Sequence, residues 1–191
     1  MKAFENLPEN YRPIYAVDLK KDKKAYLLVN GISLLIAALF AIPAAILIPF
    51  NIFDAEMGLK AMLIKEGILI VLMIAYIILH EAVHGIAMKI CGTKKVKYGF
   101  TGMYAFAGSK DYYDKKSYIF IALAPIVFWG VVLAAVNFIV PIEWFWVVYL
   151  VQLVNLSGAA GDLFVTVKFS RLPSDILVQD YGVGMTVYSK K

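Results

Sequence analysis

Histidine and cysteine are almost missing from this chain of 191 residues: there are two histidines, His80 and His84, and one cysteine, Cys91. A single thiol excludes an intrachain disulfide and a thiolate-rich zinc site, and leaves Cys91 as a small filler near a helix end. Charge is scarce as well. Asp, Glu, Lys and Arg make up 17% of the residues against 61% hydrophobic, and the mean hydropathy is +0.73. That balance lies outside the range of soluble domains and points to a bilayer. A cleavable leader pattern is lacking too. The first 24 residues are polar, and the first apolar run is too long for a signal core. No internal repeat or low-complexity segment breaks the chain.

What is present is four apolar stretches, Ala25 to Phe50, Gly67 to Met88, Tyr118 to Val140 and Trp144 to Val167. Each reaches the roughly 20 residues that a helix needs to cross a hydrocarbon core about 30 Å thick. The expected fold class is therefore an all-α polytopic membrane protein with four transmembrane helices. Its expected divisions are an N-terminal segment (1–24), a four-helix domain (25–168) and a tail (169–191).

Basic residues gather before the first stretch (Lys20, Lys21, Lys23, Lys24) and between the second and third (Lys94, Lys95, Lys97, Lys110, Lys115, Lys116). A third group follows the fourth (Lys168, Arg171, Lys190, Lys191). The other two connections are poor in net positive charge: Lys60 and Lys65 face Asp54, Glu56 and Glu66, and the last turn holds only Glu143. The positive-inside rule then sets both termini in the cytoplasm of a multi-pass cell-membrane protein. With the basic residues at the membrane boundary, the net charge of +5 predicts contact with anionic lipid and no nucleic-acid partner.

The long connection between the second and third helices alternates: Val96, Tyr98 and Phe100, a Thr101-Gly102 turn signal, then Tyr104 and Phe106. This predicts a short cytoplasmic β-hairpin, with Val96, Tyr98 and Phe100 as candidate substrate-binding residues on an edge that an extended peptide could join. For the tail, with Pro173 and the Gly182/Gly184 pair, strand and loose extension are both compatible with the pattern.

The second stretch contains His80-Glu81-Ala82-Val83-His84. Residues i and i+4 share one helix face, so both imidazoles can address one point, and two neutral imidazoles suit Zn²⁺. Glu81, one residue round, is placed to take a proton from a bound water, which is the division of labour in H-E-x-x-H metallopeptidases. A chance match or a polar cluster that only joins helices is the plainer reading. Against it, the chain's entire histidine content falls on this spacing, inside an apolar run where an unpaired charge costs at least about 2.5–3.5 kcal/mol.

A catalytic zinc usually has three protein ligands. With no further histidine, a carboxylate is needed, from Asp111, Asp114, Glu143 or Asp162. His84 lies five residues before Lys89 and Asp162 six before Lys168 on helices running the same way, so Asp162 matches the depth of the histidines. Asn155, Gly158 and Asp162 follow at i, i+3 and i+7, in a stretch of small residues that allows close helix approach. A salt bridge to Lys168 is the structural alternative for Asp162.

HEAVH, "ALAPIVFWGVVLAAVN" (122–137) and "NLSGAAGD" (155–162) together resemble the three-helix core of site-2-protease-type intramembrane metallopeptidases. With the tail "LPSDILVQDYGVGMTVY", the chain is most similar to small bacterial zincin-type membrane peptidases. The resemblance implies His80, His84 and Asp162 as zinc ligands, Glu81 as base, and Asn155 as similar to the family asparagine that contacts substrate or oxyanion. It departs from the pattern where the fourth-helix motif lacks prolines and glycine precedes Asp162.

The expected activity is hydrolysis of peptide bonds in membrane-embedded or membrane-adjacent proteins near the cytoplasmic face. The first helix would either gate lateral entry or simply pack. The rival class is a non-proteolytic membrane protein that binds or transports metal. A transporter would usually show repeated halves or polar groups on both sides of the midplane.

Overall fold

The computed structural model describes residues 1–18, 22–52, 58–102, 104–182 and 184–190. Of the charged residues used above for orientation, Lys20, Lys21, Asp54, Glu56 and Lys191 lie outside the described residues. The expected helices are present with shifted ends. Helix α1 spans Lys23–Leu47, α2 Leu59–Ile90 and α3 Lys115–Ile139. The fourth span, Ile142–Ser170, comprises a 3₁₀ turn (Ile142–Trp144) followed by α4 (Phe145–Gly158) and α5 (Ala160–Ser170). All four spans are long and apolar enough to cross a membrane, compatible with a multi-pass membrane protein. Their outer faces carry the apolar load: Leu34, Ile46, Val131 and Phe138 are 73%, 77%, 67% and 91% exposed. A surface of that kind is stable against lipid and not against water.

Local chemistry fixes the starts. The Asp22 carboxylate accepts from the Lys24 and Ala25 N–H groups at 3.0 Å and caps α1, and Asp114 accepts from Ser117 at 2.7 Å and caps α3. Helix α2 begins eight residues before the expected start because Lys60, Lys65 and Glu66 do not prevent a helix. At 1.5 Å per residue its 32 residues measure about 48 Å, well over the hydrocarbon thickness.

The expectation of an all-α fold needs correction. Besides the helices there is a five-stranded antiparallel sheet, ordered β1-β5-β6-β7-β2. Its strands are β1 (Ala3–Phe4), β2 (Tyr11–Val17), β5 (Tyr112–Asp114), β6 (Leu177–Asp180) and β7 (Met185–Lys190). The tail is thus two paired strands, Leu177 opposite Tyr188 and Asp180 opposite Met185. Pro13 sits in edge strand β2 at a register shift, the kind of position to which a residue without an N–H is confined in sheets. Tyr113, Val178 and Val187 of this sheet and Phe169 of α5 are fully buried in one core with Ala87, Met88 and Ile121 of the bundle. The sheet is therefore fastened to the helix ends that carry Lys89 and Lys168.

The expected hairpin is a second, two-stranded sheet, β3 (Lys97–Phe100) with β4 (Ala105–Gly108), registered Lys97 to Gly108 and Phe100 to Ala105. The Phe106 ring lies against Gly182, whose φ of 91° is left-handed and whose N–H donates to Asp180 Oδ1 at 2.8 Å. A Cβ at Gly182 would run into that ring. Gly182→Ala should cost more stability than the ~1–2 kcal/mol of the backbone conformation alone, read as a lowered melting temperature in detergent. Gly67→Ala, where nothing lies within 4 Å of an added Cβ, should leave it unchanged or raised.

Candidate metal centre

Two elements meet at the site. Helix α2 presents His80, Glu81 and His84, and α5 presents Asp162 in its first turn. The fourth span breaks at Ala159, within Ser157-Gly158-Ala159-Ala160-Gly161, where two glycines weaken the helical preference of the backbone. The break makes Asp162 an N-terminal residue of a new helix, where a carboxylate is favoured by the dipole.

His80 Nε2 and His84 Nε2 each stand 3.6 Å from Asp162 Oδ2. One donor atom from each of the three residues lies within 4.8 Å of the others. Ligand atoms about 2.0–2.2 Å from a shared tetrahedral centre are separated by roughly 3.3–3.5 Å, so the cluster fits a zinc ion with little adjustment. His80, His84 and Asp162 could therefore form a metal site. Their outward-facing atoms are occupied: His80 Nδ1 is 2.8 Å from the Tyr76 hydroxyl and His84 Nδ1 is 2.9 Å from the Ile121 carbonyl.

The cluster opens on a cavity of about 370 Å³ that Glu81 also lines. The Glu81 carboxylate accepts from the Ala107 N–H, which ties the motif helix to β4. Thr101, Tyr104, Ala105, Phe106 and Ala107 of the hairpin line the cavity. Val96, Tyr98 and Phe100 do not: Val96 packs on the bundle core, Tyr98 lies over Gly85, and Phe100 is 70% exposed. It is β4, the inner strand, that meets the site.

Asn155 is fully buried and lies outside the cavity lining. Its Oδ1 accepts from the Tyr76 hydroxyl at 3.0 Å and its Nδ2 donates to the Ile126 carbonyl at 3.3 Å. Of the other carboxylates weighed, Asp114 is the α3 cap, Glu143 lies in the 3₁₀ turn before α4, and the Asp111 N–H donates to Ser109.

Three residues at the site carried no prior assignment: Tyr76, Tyr118 and Asp180. Asp180 lines the cavity from the end of β6, accepting from Tyr118 at 2.9 Å and from Gly182. Burial pushes its carboxyl above the usual carboxylate range, against the opposite pull of those two donors. The Asp-Tyr-Gly turn signal at 180–182 was available in the sequence, but nothing local showed that it faces α2.

Fold and site together define a helical bundle of membrane-spanning length with a His/His/Asp cluster beside a glutamate. Residues 73–177, more than half of the chain and all of this cluster, match the family model described as "Putative zincin peptidase", and the chain belongs to that family. Membership suggests a metallopeptidase and implies zinc. The chain is also similar to the "Uncharacterized 24.7 kDa protein in gap 5'region" of Pyrococcus woesei, 30% identical over 127 residues. That match covers 61% of this chain and 53% of the relative, so the chain spans about half the length of the curated relative it matches. No solved structure matches.

Proposed function

We propose that the protein is an intramembrane zinc metallopeptidase of site-2-protease type, hydrolysing peptide bonds of membrane-embedded or membrane-adjacent substrates near the cytoplasmic face. The observation that carries this reading is the convergence of His80 Nε2 and His84 Nε2 on Asp162 Oδ2 in the cavity that Glu81 lines. The cytoplasmic assignment rests on the distribution of lysine and arginine.

His80, His84 and Asp162 would hold the ion, which supplies Lewis acidity toward the scissile carbonyl and lowers the pKa of a water to about 7. Two neutral imidazoles and one carboxylate leave a small net charge, which a site within a bilayer can tolerate. Glu81 takes the proton from the attacking water onto a carboxylate oxygen and passes it to the leaving amide nitrogen. The Ala107 N–H holds that carboxylate beside β4, so a substrate strand would lie along Ala105 to Ala107. Helix α1 packs on the fourth span, with the Tyr149 hydroxyl donating to the Phe40 carbonyl at 2.9 Å, and contributes no cavity-lining residue. Its first turn still reaches the rim, where Tyr26 bonds Tyr104.

The test is metal removal. Purified protein should contain one zinc per chain and cleave transmembrane peptides. Dialysis against a chelator should abolish cleavage, and stoichiometric Zn²⁺ should restore it. Protein that binds no zinc, or cleaves equally without it, would sink the proposal.

A further inference from the structure

Metal-binding histidines need the proton on the nitrogen that faces away from the ion, and the partner of that nitrogen decides where the proton sits. In this protein the two histidines have different partners, and each is determined by hydrogen-bond logic.

Pro125 lies inside α3 and has no N–H. The carbonyl four residues earlier, that of Ile121, therefore has no donor within the helix. It is this carbonyl that His84 Nδ1 meets at 2.9 Å. A carbonyl can only accept, so the neutral His84 ring carries its proton on Nδ1 and leaves the Nε2 lone pair toward Asp162.

At His80 the logic runs through three groups. The Ile126 carbonyl can only accept, which orients the Asn155 amide with Nδ2 toward it and Oδ1 toward Tyr76. The phenol has one proton and gives it to Asn155 Oδ1. Its oxygen is left to accept from His80 Nδ1 at 2.8 Å. The neutral His80 ring thus also has its proton on Nδ1 and its lone pair on Nε2.

We propose that Pro125, and the pair Tyr76 and Asn155, are positioning residues that fix the Nδ1–H tautomer of His84 and His80 respectively, so that both Nε2 atoms are ready to bind metal. Asn155 here acts on the site through Tyr76, at one remove from any substrate. The inference rests on the metal-centre reading for its purpose but not for its geometry, since the two Nδ1 contacts are present without the ion.

The chain has only these two histidines, so histidine-selective ¹⁵N labelling gives the two imidazoles with no background. Spectra of metal-free protein in detergent, recorded across a pH series, should show Nδ1–H for both rings in their neutral forms. Tyr76→Phe removes the acceptor at His80 and should disturb that ring alone. Asn155→Leu frees the Tyr76 proton to face His80 Nδ1 and should drive that ring to Nε2–H. Pro125→Ala restores an N–H to the Ile121 carbonyl and should disturb His84 alone, even as the helix itself gains stability. Each variant should weaken zinc binding by about 10–100-fold, measured by chelator competition. Wild-type rings in the Nε2–H form, or unmoved tautomers with zinc affinity within about threefold in all three variants, would overturn the proposal. Both Nδ1–H tautomers in a wild type that binds no zinc would support the positioning and overturn the metallopeptidase reading. Zinc binding with the tautomers unmoved overturns the positioning alone.

Discussion

Glu81→Gln should retain its zinc and lose peptide cleavage. Glutamine keeps the volume and one acceptor oxygen, so the contact with the Ala107 N–H survives and the three donor atoms of His80, His84 and Asp162 are untouched. What goes is the carboxylate that, in the proposed mechanism, accepts the proton of the attacking water. General-base catalysis is worth about 10²–10⁴-fold, and kcat should fall by at least that factor. Zinc analysis of the same preparation separates this result from loss of the metal. A variant that cleaves at the wild-type rate would show that the proton is taken by another group.

Asp162→Ala should behave differently and lose both zinc and activity. It removes one of three donor atoms, and the only anionic one, from a partly buried cluster whose histidines both stand 3.6 Å from it. Two neutral imidazoles on one helix face cannot complete a tetrahedral site by themselves. Affinity should drop by more than the roughly 100-fold at the upper end of what outer partners of ligands cost. Isothermal titration or chelator competition reads the loss. The α5 helix should remain, since Asp162 is not its capping residue, and circular dichroism should be unchanged. Full zinc occupancy in this variant would remove Asp162 from the ligand set.

The pair of predictions depends on features that differ in how legible they are from sequence. HEAVH is local: one helix and one spacing place both rings, and the apolar surroundings make their polarity conspicuous. Asp162 was reachable because lysines mark the ends of α2 and α5, which turns residue counts into depth. The break at Ala159 has no proline to announce it, only small residues that are equally common in continuous membrane helices. The five-stranded sheet is harder still. Its strands hold two to seven residues, and its pairings join Ala3 to Tyr113 and Tyr11 to Lys190, so no window of sequence contains the pattern. Tyr76 and Asn155 were both visible as polar residues in apolar helices. Their relation is 79 residues long and exists only once α2 and α4 pack. Pro125 gave a stronger hint: a proline in a membrane helix announces a vacant carbonyl four residues back, and the remaining question was which donor fills it.

The order of strands in the sheet has a consequence in time. Among the described strands β7 comes last in sequence, yet it lies between β6 and β2, so β2 cannot join the others in one sheet until it arrives. Met185 of β7, which walls the cavity, joins it in that same step. His80, His84 and Asp162, on α2 and α5, all precede β7 in sequence. A fold in which β7 has not yet docked leaves these three side chains open on the side that Met185 otherwise walls.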